Sequence, residues 1–597
     1  MRTSQTASLF YDGLEQSQSK LQFRILLLFA VALLVMGTLI GRLFYLQVLQ
    51  GTYYHEKALS NRTRSSPVLA PRGNIQDRNG KILATNKESH AVLFDPRRLT
   101  NPQIYQTLQM LAQYLNVPYA ELRERIDFEN PQPIYLYHDL DSRQLALILE
   151  HKQRLPGLKL ATNLERYYPD QDKLGHFIGH MGFLSAEELK KPQYRNYFQG
   201  SLVGKNGLER VYEYALKGID GQESIDVKAG KLKSDNPQQS LPGQPLGLTI
   251  DKDLQNHCYR LLKAKGVAGA IVVMEPKTGA LLALATYPAY DPNLFNRGLS
   301  TKDWNRLQNH PLHPFLDRST NSYAPGSIFK IVTTLAALGT GHLTPQRGFI
   351  SRGFLSVGGH VFYDWNRSGF GGVNIYQALA HSIDTVFYEL SLEMGIEPIR
   401  DYSKLLGLGA PTGIDLPDEG VGIVPDKAWK KKYIGIDWLP GDSVNASIGQ
   451  GYVQMTPLQA TRMIAAVANG GFLVTPHLVK NIGLAGNQIQ PHDHLERPRI
   501  PGIPAEHWDV VRHGLEQAVS YGTAKKMGLR HVRIAGKTGT AETIPGQPNH
   551  AWIVGYAPAE DPQYAMTVFL EHGRSGGGQA APLAHDVWEF LFRQEKK

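Results

Sequence analysis

The chain has 597 residues, 42% of them hydrophobic and 20% charged, with 58 Gly and 36 Pro; this is ordinary globular composition at a length for several domains, and it excludes a disordered or collagen-like chain. A single cysteine, Cys258, excludes an internal disulfide and a cysteine-rich zinc site, and suits an oxidising compartment as well as a reducing one. The formal charge of +9 is scattered with no long basic run, so it reads as solvated faces and not as a nucleic-acid surface.

Between Arg24 and Arg42 the segment ILLLFAVALLVMGTLIG carries no charge, and at about 1.5 Å per residue it nearly spans a ~30 Å hydrocarbon core. Leu43 to Leu46 complete an anchor over residues 25–46, with Arg42 snorkelling to the headgroups. The stretch is longer than the apolar region of a signal peptide and no small-x-small cleavage site follows, so the anchor is expected to remain. Lys20 and Arg24 before it give a mild positive-inside bias that places residues 1–24 in the cytoplasm and the rest of the chain outside.

Residues 47–240 read as one exterior module. Asp77-Arg78-Asn79-Gly80 is a turn between strand-like flanks, and residues 100–155 contain apolar positions three and four apart, a helical period. A turn-rich block follows from Arg166-Tyr167-Tyr168-Pro169 through His176 and Gly182 to Gly204-Lys205-Asn206-Gly207-Leu208-Glu209. The polar, Pro- and Gly-bearing stretch 228–245 reads as a hairpin tip or linker, which puts a domain boundary near 240. From 241 to 597 the text predicts a helix over DLQNHCYRLLKAKG and a hairpin turning at Pro276 to Gly279. Three late strands (VRIAGKTGT, HAWIVGYAP, YAMTVFLEHG) and a C-terminal helix over LAHDVWEFLFRQ follow.

Three short motifs lie in this last region: Ser327-x-x-Lys330, Ser382-x-Asp384 and Lys537-Thr538-Gly539-Thr540. Singly they are unspecific, since about two S-x-x-K matches are expected by chance at this length. Two occur, the other being Ser17 with Lys20, and K-T-G also recurs at the hairpin turn Lys277-Thr278-Gly279. The distinguishing feature is context: Pro325-Gly326 breaks the chain, and IFKIVTTLAAL then runs as an apolar helix that Ser327 opens.

A serine hydroxyl is a poor nucleophile until something takes its proton. Lys330, three positions on, shares its helix face; it can act as base when burial and a second cation, Lys537, disfavour its charged form. Ser382 would relay a proton or hold Lys330 in line, and Asp384 would orient it. The Lys537-Thr538-Gly539-Thr540 edge would hold a substrate carboxylate through one charge and several donors, and the Ser327 and Thr540 amides would form an oxyanion hole. Each residue also has a purely structural reading: Ser327 as a helix start, Lys330 as a solvated side chain, Asp384 as a carboxylate complementing a helix dipole, Lys537 as a strand-edge charge. The ordered set of three favours the chemical reading.

These motifs resemble those of the penicillin-binding serine transpeptidases. The resemblance covers nearly all the chain from residue 20. Pro71-Arg72-Gly73-Asn74-Ile75, Asp77 to Gly80 and Gly204 to Glu209 look like the non-enzymatic pedestal of the class B members. Arg166 to Pro169 with His176, Gly441-Asp442-Ser443, Ser447 to Gly451 and Thr456 to Gln459 are similar to the elongation-type subgroup, penicillin-binding protein 2.

The resemblance implies an α+β fold. A transpeptidase domain with a five-stranded antiparallel sheet flanked by helices would follow an elongated mixed α/β, dimerisation-like pedestal and one N-terminal transmembrane helix. It implies a peptidoglycan D,D-transpeptidase: Ser327 attacks the penultimate carbonyl of a stem peptide ending in D-Ala-D-Ala, D-Ala leaves, and an amine of a neighbouring stem peptide resolves the acyl-enzyme into a crosslink. β-Lactams would acylate the same serine. The middle motif departs from the family, with Asp384 where Asn is usual; a carboxylate cannot donate as an amide does, which puts its substrate contact in question.

Some relatives carry a small metal site, but here only His360 and Asp364 are neighbours, read as an exposed turn, so neither metal nor cofactor is expected. The rival functions are a D,D-carboxypeptidase or β-lactamase-type hydrolase on the same fold, and a catalytically silent scaffold or sensor. A signalling receptor needs more than the 24 or so residues before the span, and a β-lactamase does not need the large exterior module. The resemblance also implies partners: a membrane glycan polymerase of the shape-elongation-division-sporulation type and elongation-complex scaffolds, at the inner membrane with the catalytic domain in the periplasm.

Overall fold

The computed structural model describes residues 5–54, 63–68, 70–97, 99–124, 126, 128, 134–137, 140–185, 187–195, 197, 201–226, 231–232, 239–296, 299–483, 488–492 and 498–594. They fall into two compact units, residues 1–70 with 219–241 and residues 71–218 with 242–597.

The first unit holds helix α1 (Gln5–Phe44). Its continuation gives a 27-residue stretch, Phe23–Leu49, with mean hydropathy 2.5 and no residue buried by protein. A helix apolar on all sides and uncovered is long enough to cross a bilayer. The Thr38 hydroxyl folds back onto the Leu34 and Val35 carbonyls at 3.0 and 2.8 Å, which satisfies the one polar side chain between Arg24 and Arg42. Strand Gly221–Asp226 pairs antiparallel with Thr63–Val68 on one side and Lys231–Leu232 on the other. Of the polar stretch 228–245, residues 228–230 and 233–238 lie outside the described residues.

In the second unit the predicted turn at Asp77 to Gly80 is present. The Asp77 carboxylate accepts the Asn79 and Lys81 amides at 2.9 and 2.7 Å, and Gly80 takes φ +80°. It joins Ile75–Gln76 to the long strand Ile82–Phe94, which pairs with Leu158–Tyr167 and Ile134–Tyr137. The helical spacing noted over 100–155 resolves into Asn101–Leu115, Tyr119–Glu124 and Ser142–Glu150. Reciprocal capping by Thr100 with Gln103 and by Asp141 with Gln144 starts the first and last of these.

Farther along, Asp251 caps helix Lys252–Lys265 and Gly266 ends it at φ +67°. Strands β1 (Gly269–Met274) and β2 (Leu281–Tyr287) form the expected hairpin. Then come α2 (Lys330–Gly339), α3 (Ile375–His381), α4 (Asp384–Met394), α5 (Pro457–Ala468), β3 (Ala535–Ala541), β4 (His550–Ala557), β5 (Tyr564–Leu570) and α6 (Ala581–Gln594). The five strands make one antiparallel sheet, β2-β1-β5-β4-β3, as the resemblance implied.

All six residues of β1 are buried because both faces of the sheet are covered. Val272 and Met274 join a core shared with α2, α4 and α5, whereas Ile271 and Val273 join a second core with helix Lys252–Lys265 and α6. Four short strands between α2 and α3 escaped the sequence reading: Gly348–Ser351 pairs with Gly371–Asn374, and Phe354–Val357 with His360–Tyr363.

Candidate active site

The helix predicted to begin at Ser327 begins instead with a single 3₁₀ turn, Gly326–Phe329, and passes into α2 at Lys330. Gly326 is at φ +58°, and a Cβ there would stand 2.5 Å from the carbonyl oxygen of Thr540. Only glycine permits that approach, and it seats the Ser327 turn directly on β3. The Gly326 amide donates to the Gly449 carbonyl at 2.9 Å, and the Trp552 indole donates to the Ala324 carbonyl at 2.9 Å. The turn is thereby fixed on three sides, with Ser327 half-buried at its centre.

Lys330 is fully buried. Its ammonium donates to the Ser382 carbonyl at 2.8 Å, the Ser382 hydroxyl at 3.2 Å and the Asp384 carboxylate at 2.6 Å. All three N–H bonds are thus used, and the solvated-side-chain reading of Lys330 does not hold. Ser382 can present both oxygens to one nitrogen because it ends α3 in the left-handed region, φ +58°, a costly conformation for a residue with a side chain. Asp384 opens α4, where the helix dipole favours a carboxylate. Its second oxygen accepts the Trp365 amide at 3.3 Å.

Lys537, on β3, is also fully buried. Burial first, and then the charge of Lys330, push its ammonium well below the ordinary lysine value, with Asp384 pulling partly the other way. Two lysines therefore face the same carboxylate, Lys330 in direct contact and Lys537 through space. Burial first, and then the adjacent Asp384, raise the neighbouring Asp364 carboxyl above the ordinary value, with the Thr385 amide and Lys330 pulling the other way. The Thr538 hydroxyl lies 2.7 Å from that of Thr523, Gly539 packs under the Pro325 carbonyl, and Thr540 is exposed with its hydroxyl accepting the Gly576 amide at 3.3 Å.

A family model for the penicillin-binding protein transpeptidase domain matches residues 269–589, and one for the penicillin-binding protein dimerisation domain matches residues 67–248. The chain is 31% identical to the peptidoglycan D,D-transpeptidase MrdA of Haemophilus influenzae, over 96% of this chain and 92% of that protein. Its structure is similar to that of PBP2 from the Helicobacter pylori complex of PBP2 with MreC. The TM-score is 0.77 at 30% identity, covering 89% of this chain and all of the other. It is also similar to a chain from a structure describing the coordination of polymerization and crosslinking by a peptidoglycan synthase complex, with a TM-score of 0.70 at 30% identity, covering 94% and 97%.

The chain belongs to the penicillin-binding protein transpeptidase family. Of the family's motif residues, Lys330, Ser382 and Asp384 are in direct contact, and Lys537 acts on Lys330 through space. Ser327, Thr538, Gly539 and Thr540 stand where the first turn meets β3. The second K-T-G copy is on the β1–β2 turn, where Lys277 pairs with Asp561 at 2.5 Å in solvent.

Several residues at this candidate site carried no usable sequence signal. Trp365, Thr523 and Gly576 act through main-chain or single-hydroxyl contacts that no spacing rule reveals, and Gly449 entered only as part of the Ser447 to Gly451 resemblance, without its role under Gly326. The exposed-turn reading of His360 and Asp364 is half right: His360 is exposed, but Asp364 is buried and accepts both the amide and the hydroxyl of Thr385 at 3.1 Å. Among the described residues no group of three or more His, Cys, Asp or Glu is placed to hold a metal ion.

Proposed function

We propose that this chain is a peptidoglycan D,D-transpeptidase that crosslinks stem peptides during cell-wall elongation, with Ser327 as nucleophile. The observation that carries this reading is the buried Lys330 ammonium, one turn from Ser327, bonded at once to Ser382 and Asp384. When Lys330 gives up one proton it keeps two donors for the Ser382 carbonyl and Asp384, and its lone pair is free. The Ser382 hydroxyl then turns from acceptor to donor, or Ser327 donates directly.

Ser327 Oγ attacks the carbonyl of the penultimate D-Ala while its proton passes to Lys330. The oxyanion rests on the amides of Ser327 and Thr540, which the contact at Gly326 supports. As the C–N bond breaks, Lys330 returns the proton to the departing D-Ala amine. The acceptor amine then attacks the ester, loses a proton through the same lysine, and frees Ser327. Asp384 in place of the family's usual Asn acts on Lys330 more than on substrate.

The assignment of residues 1–24 to the cytoplasm, 25–46 to the anchor, 47–240 to a pedestal and 241–597 to a periplasmic catalytic domain rests on the Lys20 and Arg24 bias and on the family. The H. pylori relative in complex with MreC and the synthase-complex neighbour support elongation scaffolds and a membrane glycan polymerase as partners. Incubation with labelled penicillin followed by mass spectrometry tests the reading. A persistent adduct on Ser327, absent from Ser327→Ala, is expected; rapid loss moves the reading to a hydrolase, and no adduct contradicts it.

A further inference from the structure

β3 is the edge of the sheet, paired on one side only among the described residues. An extended peptide adds to such an edge through main-chain hydrogen bonds, advancing about 3.3 Å per residue. With the reacting carbonyl between Ser327 and Thr540 and the terminal carboxylate toward Thr538, the residues before the scissile bond run toward Ala541. Two or three of them reach about 7–10 Å, past the end of the strand.

The loop after β5 arrives at that end. The Arg574 amide donates to the Asn549 carbonyl at 2.8 Å, next to His550, which stands opposite Ala541 in the β3–β4 ladder. The Gly576 amide ties the loop to Thr540, and a Cβ on Gly576 would fall 2.4 Å from the carbonyl oxygens of Gly539 and Trp552. His572 and Arg574 both hold positive φ, +56° and +70°, so the loop keeps a conformation that side chains disfavour. Arg574 is exposed, and among the described residues its guanidinium has no acidic partner. Lys537 on the same edge is fully buried and presents no charge to solvent.

We propose that Arg574 is a specificity-determining residue that pairs with a carboxylate on the second or third residue of the bound stem peptide, upstream of its D-Ala-D-Ala end. The assignment rests on the transpeptidase reading above. A guanidinium suits the task because its parallel N–H donors match both carboxylate oxygens, and a group left free in the resting chain loses no partner on binding.

The test uses the full-length protein and two synthetic stem pentapeptides, one with the upstream carboxylate free and one with it amidated. The readout is the peptide concentration that halves the rate of Ser327 acylation by labelled penicillin, each variant being referred to its own rate without peptide. The free acid is expected to protect at about 3- to 10-fold lower concentration than the amide. Arg574→Ala and Arg574→Gln should bring that ratio to about 1, and Arg574→Lys, which keeps charge without the fork, should retain part of it. Equal protection by both peptides in the parent, no protection by either, or a ratio unchanged in Arg574→Ala overturns the proposal. Failure of penicillin to acylate Ser327 before any peptide is added would instead contradict the underlying reading.

Discussion

Two clusters of buried charge lie in the second unit, and they are built on opposite principles. In the pedestal, Glu209 is wholly buried and accepts Arg72 at 2.6 Å, Arg166 at 2.7 Å and the Tyr168 hydroxyl at 3.1 Å, while Arg72 also reaches Glu213 at 2.7 Å. Two cations meet two carboxylates. Burial alone would raise the Glu209 carboxyl, yet Arg166 and Arg72 hold it below the ordinary value. At the active site Lys330 and Lys537 share Asp384, and the excess appears as the depressed affinity of Lys537 for its proton. A balanced cluster fixes backbone segments, whereas in the unbalanced one Lys537 holds its proton loosely beside the lysine that serves as base.

Breaking the balance in the pedestal should have the largest effect on stability. Glu209→Gln leaves Arg72 and Arg166 buried without their shared carboxylate, and a loss of about 3–5 kcal/mol is expected by denaturant titration. Because the Glu209 carboxyl is depressed in the folded state, its contribution is complete above the ordinary value of 4.5 and fades as pH falls through the folded one. The parent should therefore lose its advantage over Glu209→Gln on acidification; an unchanged gap would mean the network is not what holds the segment.

Relieving the imbalance at the site should act in the other direction. Lys537→Met is expected to raise stability by on the order of 1 kcal/mol at neutral pH while lowering Ser327 acylation, the exchange of stability for function expected of a strained site. The folded lysine binds its proton more weakly than the unfolded one, so the unfolded state holds more protons below the ordinary value of 10.5. The parent's handicap must therefore shrink as pH rises toward that value. A handicap independent of pH would assign the effect to packing.

The smallest effect belongs to the second K-T-G copy. Lys277 and its partner Asp561 are 61% and 70% exposed, so Lys277→Ala should leave melting temperature and acylation as in the parent. A loss of acylation there would show that the motif had been assigned to the wrong strand.

Much of this architecture was legible because it rests on local rules. The anchor followed from uncharged length, the hairpin at Pro276 to Gly279 from turn chemistry, the helix Lys252–Lys265 from its helix-forming text, and the sheet from the family resemblance. The paired short strands between α2 and α3 were missed because strands of four residues with exposed sides carry no clear alternation. Burial of Asp364 was missed for a related reason: its partner Thr385 is 21 residues away, and a side chain bonded to a distant amide leaves no spacing to read. The grouping of Lys330 with Ser382 and Asp384 was expected from the motifs, but the left-handed Ser382 that permits it was not, since a residue other than glycine does not advertise that conformation.

The most direct test of the unbalanced cluster is the pH dependence of Ser327 acylation by penicillin in the parent and in Asp384→Asn. Removing the carboxylate 2.6 Å from Lys330 takes away what favours the ammonium form. The rising limb of the rate should move to lower pH, even as the plateau changes. A limb that stays in place, with only the plateau altered, would mean that Lys330 does not take the serine proton.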